Sequence, residues 1–193
     1  QRRREIDRFK EHIRFARFAG APMVATETGA YTTFKEQEPE RYVEKAWELF
    51  RAFVQEVTEE AEKWGVYVGL EPVHKDNLST PDKMLQIMEE VPSSTIGVVL
   101  DPCNLLNMQN YKQQTEIVDR CFELFGDRLI LIHLKDLAID GDKLVYTKMG
   151  TGIFHHAYFL DKLKHYKPHI DISMEGTKLH EIPETMAYLK SLA

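Results

Sequence analysis

Apolar residues recur along this chain in two alternating rhythms. Between residues 4 and 19, Ile6, Phe9, Ile13, Ala16 and Ala19 stand three or four apart, with Gly20 behind them. That spacing predicts an amphipathic helix with a glycine stop. Residues 22–26 follow as a short apolar run ending at Glu27-Thr28-Gly29, and predict a strand and then a loop through Gln37. From Pro39 a longer helical stripe passes through Val43, Ala46, Leu49, Phe50, Phe53, Val57, Ala61 and Trp64 to Gly65. Proline at its start and glycine at its stop are the usual helix ends.

The same alternation continues to the C-terminus. Residues 66–71 climb through Val66, Val68 and Leu70 to Glu71, where Pro72 stops the run. Thr80-Pro81-Asp82 then opens a helix, with threonine as N-cap and a core face of Met84, Leu85, Ile87, Met88 and Val91. Strands are predicted at 96–101, 129–134 and 170–175, and helices at about 111–125, 156–166 and 181–192. A polar excursion covers 136–152, with a turn at Asp140-Gly141. The strands are nearly continuous apolar runs, as buried parallel strands are. One helix and five strand–helix units, with no linker between them, predict a single α/β domain over 1–193. It is either an open doubly wound sheet or a (β/α)8 barrel.

What distinguishes the strands is how they end. Glu71, Asp101, His133 and Glu175 each close an apolar run, at separations of 30, 32 and 42 residues, each about one strand–helix unit. The C-terminal ends of parallel strands carry the active sites of α/β folds. A carboxylate at the end of a buried strand is costly to desolvate without a partner. A lone strand-end acid is commonly a solvated rim residue, but four on successive strands point to a shared partner. Four consecutive ends meet at one point only if the sheet curls. In a flat sheet the outer two stand about 14 Å apart, so the barrel is favoured. Three carboxylates and an imidazole suit one divalent ion such as Mn²⁺, Mg²⁺, Co²⁺ or Zn²⁺.

Composition narrows the partners. The chain has 193 residues, 43% hydrophobic and 29% charged, enough for one sizeable core. Its net charge of −6, with no basic block beyond Arg2-Arg3-Arg4, opposes a nucleic-acid role. No apolar run approaches the ~18 residues of a membrane span, and no secretory signal pattern is present. Two cysteines in unrelated contexts, Cys103 and Cys121, fit a reducing cytoplasm. The first residue is Gln, already inside a helical pattern, so the natural start is expected upstream.

Four short stretches in this order, Leu70-Glu71-Pro72-Val73-His74, Leu100-Asp101-Pro102-Cys103-Asn104-Leu105-Leu106, Ile132-His133-Leu134-Lys135-Asp136 and Met174-Glu175-Gly176, resemble the sugar-phosphate isomerase/epimerase group. These are xylose isomerase-like TIM barrels, related to ketose 3-epimerases, inosose dehydratases and AP endonuclease family 2. The resemblance covers the chain from about Gly20 onward. It implies that Glu71, Asp101, His133 and Glu175 bind one divalent metal on the last four barrel strands, and that 22–26 is the fourth strand. The first three strands would then be missing. It also implies that Glu71 and Glu175 act as an acid–base pair on opposite faces of a bound ketose, through an enediolate. The substrate would be a small sugar or sugar phosphate, and a homo-oligomer is compatible. A dehydratase of the same barrel, or a non-catalytic sugar-binding barrel, stays open as an alternative.

The departures from the group carry information too. Many ketose epimerases and the endonucleases have a histidine where this chain has Asn104. The endonucleases also place an Asp-x-His pair before a Gly-x-Gly turn, where this chain reads Tyr146-Thr147-Lys148-Met149-Gly150-Thr151-Gly152. Both disfavour a multi-zinc nuclease. His74, Asn104, Lys135 and Glu27 are candidate substrate contacts, Lys135 toward a phosphate or hydroxyl or else as a rim salt bridge. Cys103 reads as a buried small hydrophobe. His155-His156 is expected to open a helix, and Trp47 and Trp64 to pack between helices.

Overall fold

A computed structural model of the chain describes residues 2–29 and 39–192. The loop expected through Gln37 therefore lies, from residue 30 on, outside the described residues. The chain forms two compact units, residues 1–99 and 100–193.

The first unit contains α1 (Arg2–Ala19), β1 (Met23–Glu27), α2 (Pro39–Trp64), β2 (Tyr67–Glu71) and α3 (Pro81–Glu90), and β3 (Ile96–Leu100) leads out of it. β1, β2 and β3 are parallel neighbours, with Glu27 opposite Glu71 and Val68 opposite Ile96. The helices fall where the apolar stripes place them. Ile6, Ile13 and Ala16 of α1 are buried, and Phe9 meets Phe53 of α2 edge-on at 5.4 Å. Thr80 caps α3 as expected, its side chain accepting from the Lys83 amide. The sheet is packed closely enough to need a glycine at one point. A Cβ on Gly69 would lie 2.9 Å from Val99 Cγ2 and 3.3 Å from Ala25 Cβ. Trp64 packs at a tilt against Phe18 at 5.5 Å and bonds Glu60, while Trp47 bonds Glu90 from the helix surface. Both tryptophans thus serve helix packing.

The second unit runs through α4 (Gln114–Phe125), β4 (Leu129–Leu134), β5 (Asp136–Asp140), β6 (Lys143–Thr147), α5 (His156–Tyr166), β7 (Ile172–Met174) and α6 (Ile182–Ser191). β4 and β7 are parallel, with His133 opposite Ser173. Phe122, Phe125, Phe159 and Leu163 form the core beneath them, Phe122 and Phe159 edge-on at 6.2 Å. Three sequence expectations need correction here. The polar excursion 136–152 is largely an antiparallel hairpin, β5 against β6, with Gly141 at φ +59° in its turn. The last strand is three residues long, 172–174, shorter than the expected 170–175. The helix expected from residue 111 opens with a 3-10 turn, Tyr111–Gln113, before α4 begins. Among the described residues no helix is long and apolar enough to cross a membrane.

Candidate active site

Strand β4 delivers the central groups of the second unit. Its apolar residues Ile132 and Leu134 are fully buried, and His133 and Lys135 flank Leu134 along the chain. Beside it, the Glu175 amide donates to Leu134 O at 3.1 Å, which fixes Glu175 just beyond the end of β7. The result is a contact between Glu175 Oε2 and His133 Nδ1 at 3.0 Å.

Asp101 enters from the other direction. It follows β3 and opens a 3-10 turn, Pro102–Leu105, its Oδ1 accepting from the Cys103 amide at 2.9 Å. The residue is 0% exposed, and its second oxygen, Oδ2, lies 3.3 Å from Lys135 Nζ. The same ammonium is 3.0 Å from Glu175 Oε2 and 3.2 Å from Asn104 Oδ1. One lysine therefore joins two carboxylates and an amide, and one of those carboxylates also holds the imidazole. Burial pulls the Lys135 ammonium toward deprotonation, but the charge of Asp101 and the hydrogen bond the ammonium donates to Glu175 outweigh it. The group is held above the ordinary lysine range. Burial pushes the Cys103 thiol well up, as expected of a buried small side chain and not of a nucleophile.

Asp101, Asn104, His133, Lys135 and Glu175 are thus brought into one cluster. The other predicted residues lie in the first unit. Glu71 ends β2 and is 6% exposed, Glu27 is exposed opposite it on β1, and His74 is half-buried in the turn after β2.

The structure adds residues that the sequence reading did not assign. Tyr146 of β6 donates its hydroxyl to Asn104 Oδ1 at 3.0 Å, and its ring lies 4.9 Å from Lys135 Nζ. The alternating Leu144 and Tyr146 after an Asp-Gly turn were the available signal for this hairpin. Asp136 is 2% exposed and accepts four backbone amides, from Leu137, Gly150, Gly152 and Phe154. Gly150 and Gly152 are therefore two of the four donors of a carboxylate-centred loop. A Cβ on Gly152 would collide with that carboxylate and with Leu137 O. His156 is the first residue of α5, as expected, but it is also buried, with Nε2 on Lys135 O at 2.9 Å and Nδ1 on the Tyr188 hydroxyl at 3.2 Å. Both ring nitrogens are committed, which removes it as a ligand of a second metal.

Chemically, the cluster offers hard oxygen donors and one imidazole, the set that suits a divalent ion of the Mg²⁺, Mn²⁺ or Zn²⁺ kind. Asp101 Oδ2 and Glu175 Oε2 are the oxygens that already face a cation. The residues present fit such an ion. Beside Glu175 a polar pocket of about 230 Å³ opens, lined by Lys135, Tyr146, Thr147, Lys148, Thr177 and Lys178 among others.

The family model of the xylose isomerase-like TIM barrel matches residues 1–192. No curated protein sequence matches the chain significantly. Among solved structures, the chain is similar to the crystal structure of a D-tagatose 3-epimerase-like protein, at 21% identity and TM-score 0.81, covering 99% of this chain and 69% of that one. It is also similar to a xylose isomerase-like TIM barrel protein from Mycobacterium smegmatis in complex with magnesium, at 17% identity and TM-score 0.71, covering 98% and 67%. The IolI protein with a bound zinc atom is a third, at 19% identity and TM-score 0.64, covering 97% and 66%. The chain spans about two thirds of the length of each. At these identities the likeness is one of fold.

Proposed function

The chain belongs to the xylose isomerase-like TIM barrel family, and on that premise we propose that it is a divalent-metal-dependent isomerase or epimerase of a small sugar or sugar phosphate. The observation that carries the proposal is the convergence of Asp101, His133 and Glu175, far apart in sequence: His133 meets Glu175 Oε2 directly, and Lys135 links that oxygen to Asp101 Oδ2. These three residues, with Glu71 from β2, would hold the metal. When bound, the metal supplies Lewis-acid stabilisation of charge developing on a carbonyl oxygen. The magnesium and zinc in the similar structures are consistent with that choice of ion.

The chain's own groups then divide the work. Glu71 and Glu175 form the proton-transfer pair, one taking the proton from the carbon beside the carbonyl and the other returning one from the opposite face. Lys135 and Asn104 would bind a substrate hydroxyl or phosphate, a reading supported by the contacts Tyr146 makes with both of them. His74 and Glu27 complete the set of substrate contacts in this reading. The pocket beside Glu175 would take the distal end of a small polar ligand. Two buried thiols with no disulfide agree with a cytoplasmic enzyme.

The test is turnover of ketoses and their phosphates in D₂O, followed by NMR. An isomerase or epimerase washes deuterium into the product carbon next to the carbonyl. A dehydratase releases water and an unsaturated or deoxy product, which would transfer the reading to a lyase. Glu71→Gln and Glu175→Gln should each abolish exchange; unchanged exchange in both sinks the proposed chemistry.

A further inference from the structure

The chain carries, at the centre of the candidate metal site, a cation of its own. Lys135 Nζ lies 3.3 Å from Asp101 Oδ2 and 3.0 Å from Glu175 Oε2, and its side chain is 10% exposed. A divalent ion bound by Asp101, His133 and Glu175 would need carboxylate oxygens from the same two residues. An ammonium and a dication cannot share those oxygens without strong repulsion at short range. Lysine is also the residue best able to leave, because its compact charge rides on four rotatable carbons. Two further contacts remain within its reach. Asn104 Oδ1 is 3.2 Å away, and the Tyr146 face is 4.9 Å away, the latter an attractive seat for a cation. Tyr146 in turn donates its hydroxyl to the same Asn104 oxygen. The side of the ammonium facing the carboxylates and the side facing Asn104 and Tyr146 thus have separate partners.

We propose that Lys135 is a resident counter-cation that competes with the divalent metal for Asp101 and Glu175, and that metal entry transfers its ammonium onto the Asn104–Tyr146 pair. Before metal entry it keeps two buried or half-buried carboxylates compensated, a state that is otherwise costly. After it, the ammonium's donors are turned from the protein's carboxylates toward a substrate oxygen at the same site. Lys135 is in this sense a positioning residue for the metal as well as a substrate contact. The inference rests on the reading of Asp101, His133 and Glu175 as ligands, and its test separates the two.

The test is a Mn²⁺ titration of the intact chain, with free Mn²⁺ counted by electron paramagnetic resonance, in wild type, Lys135→Met, Lys135→Gln and Lys135→Arg. The expected result is that the two uncharged variants bind Mn²⁺ tighter by about tenfold or more, as removal of a nearby like charge requires, while Lys135→Arg does not. Their melting temperatures should also rise more on Mn²⁺ addition than that of wild type, because binding stabilises by mass action. Tight binding by the uncharged variants alone supports the proposal most directly. Mn²⁺ affinity that is equal or weaker in both uncharged variants, with wild type binding normally, overturns the competition and leaves the ligand reading standing. No binding by any of the proteins overturns both. Should the uncharged variants fold poorly, the readout is the Lys135 Nζ resonance of ¹⁵N-lysine-labelled wild type, assigned through Lys135→Arg. Saturating Mg²⁺ should shift that signal, and an unmoved signal with Mg²⁺ bound overturns the proposal.

Discussion

Asp136 and Glu175 are both acids just beyond the C-terminal ends of the neighbouring strands β4 and β7, and they are held in opposite ways. Asp136 accepts four hydrogen bonds at 2.8 to 3.1 Å, every one from a main-chain amide. Glu175 Oε2 faces two side-chain groups, His133 and Lys135. Main-chain donors cannot leave without unravelling residues 150–154, so the charge of Asp136 is spent on architecture. Side-chain partners can turn away, so the charge of Glu175, like that of Asp101 Oδ2, stays exchangeable. Whether a buried acid is structural or chemical is decided here by what its donors are attached to, and not by its burial.

Two substitutions set the contrast at its widest. Glu175→Gln should lower deuterium exchange into a turned-over ketose by at least about a thousandfold, the upper range for loss of a general acid or base. Its unfolding free energy should stay within about 1 kcal/mol of wild type, since the side chain is part-exposed and anchors no loop. Asp136→Ala should do the reverse in stability, costing about 3 kcal/mol as buried amides lose their acceptor. Urea unfolding measures both. A stable Asp136→Ala, or a Glu175→Gln that unfolds, breaks the distinction. Gly152→Ala is a milder test of the same loop. Its added methyl would press on the Asp136 carboxylate and on Leu137 O, for an expected loss of about 2 kcal/mol. A neutral Gly152→Ala would mean that the loop is free to shift around Asp136.

The contrast also marks how far the sequence could be read. An apolar run that ends in an acid or a histidine is a local signal, so the ends at Glu71, Asp101, His133 and Glu175 were visible residue by residue. The long helix α2 and the Thr80 cap were visible for the same reason. The four donors of Asp136 come from residues up to 18 positions away, through a turn whose geometry no short motif encodes. The hairpin that carries Tyr146 was missed because its apolar runs, 137–139 and 144–146, are only three residues long and lie among charged residues, too short a pattern to announce strands. Tyr146 meets Asn104 across 42 residues, a contact that only the folded unit creates. β7 was overestimated because Ile170 and Asp171 continue its apolar–polar pattern while the chain there is still turning out of α5.

His156 supplies the smallest and most specific prediction, since it ties the two kinds of acid together. Its Nε2 bonds the carbonyl of Lys135, the residue of the exchangeable cluster, and its Nδ1 bonds Tyr188, whose ring closes over Gly150 in the Asp136 loop. The ring is edge-on to Phe154 at 5.0 Å and to Tyr188 at 5.5 Å. Burial lowers its pKa below the ordinary 6.5, and the Lys135 carbonyl and the Asp136 charge offset that only in part. The folded protein therefore binds fewer protons here than the unfolded chain once the pH falls below about 6.5. The stability that the neutral ring contributes is fully present above that pH and is lost as the pH falls through the lower folded value. Urea midpoints measured from about pH 8 to about pH 5 should decline less steeply in His156→Gln than in wild type. Parallel slopes would mean that the acid sensitivity of the loop comes from carboxylates alone, and that His156 joins the two regions by packing without titrating between them.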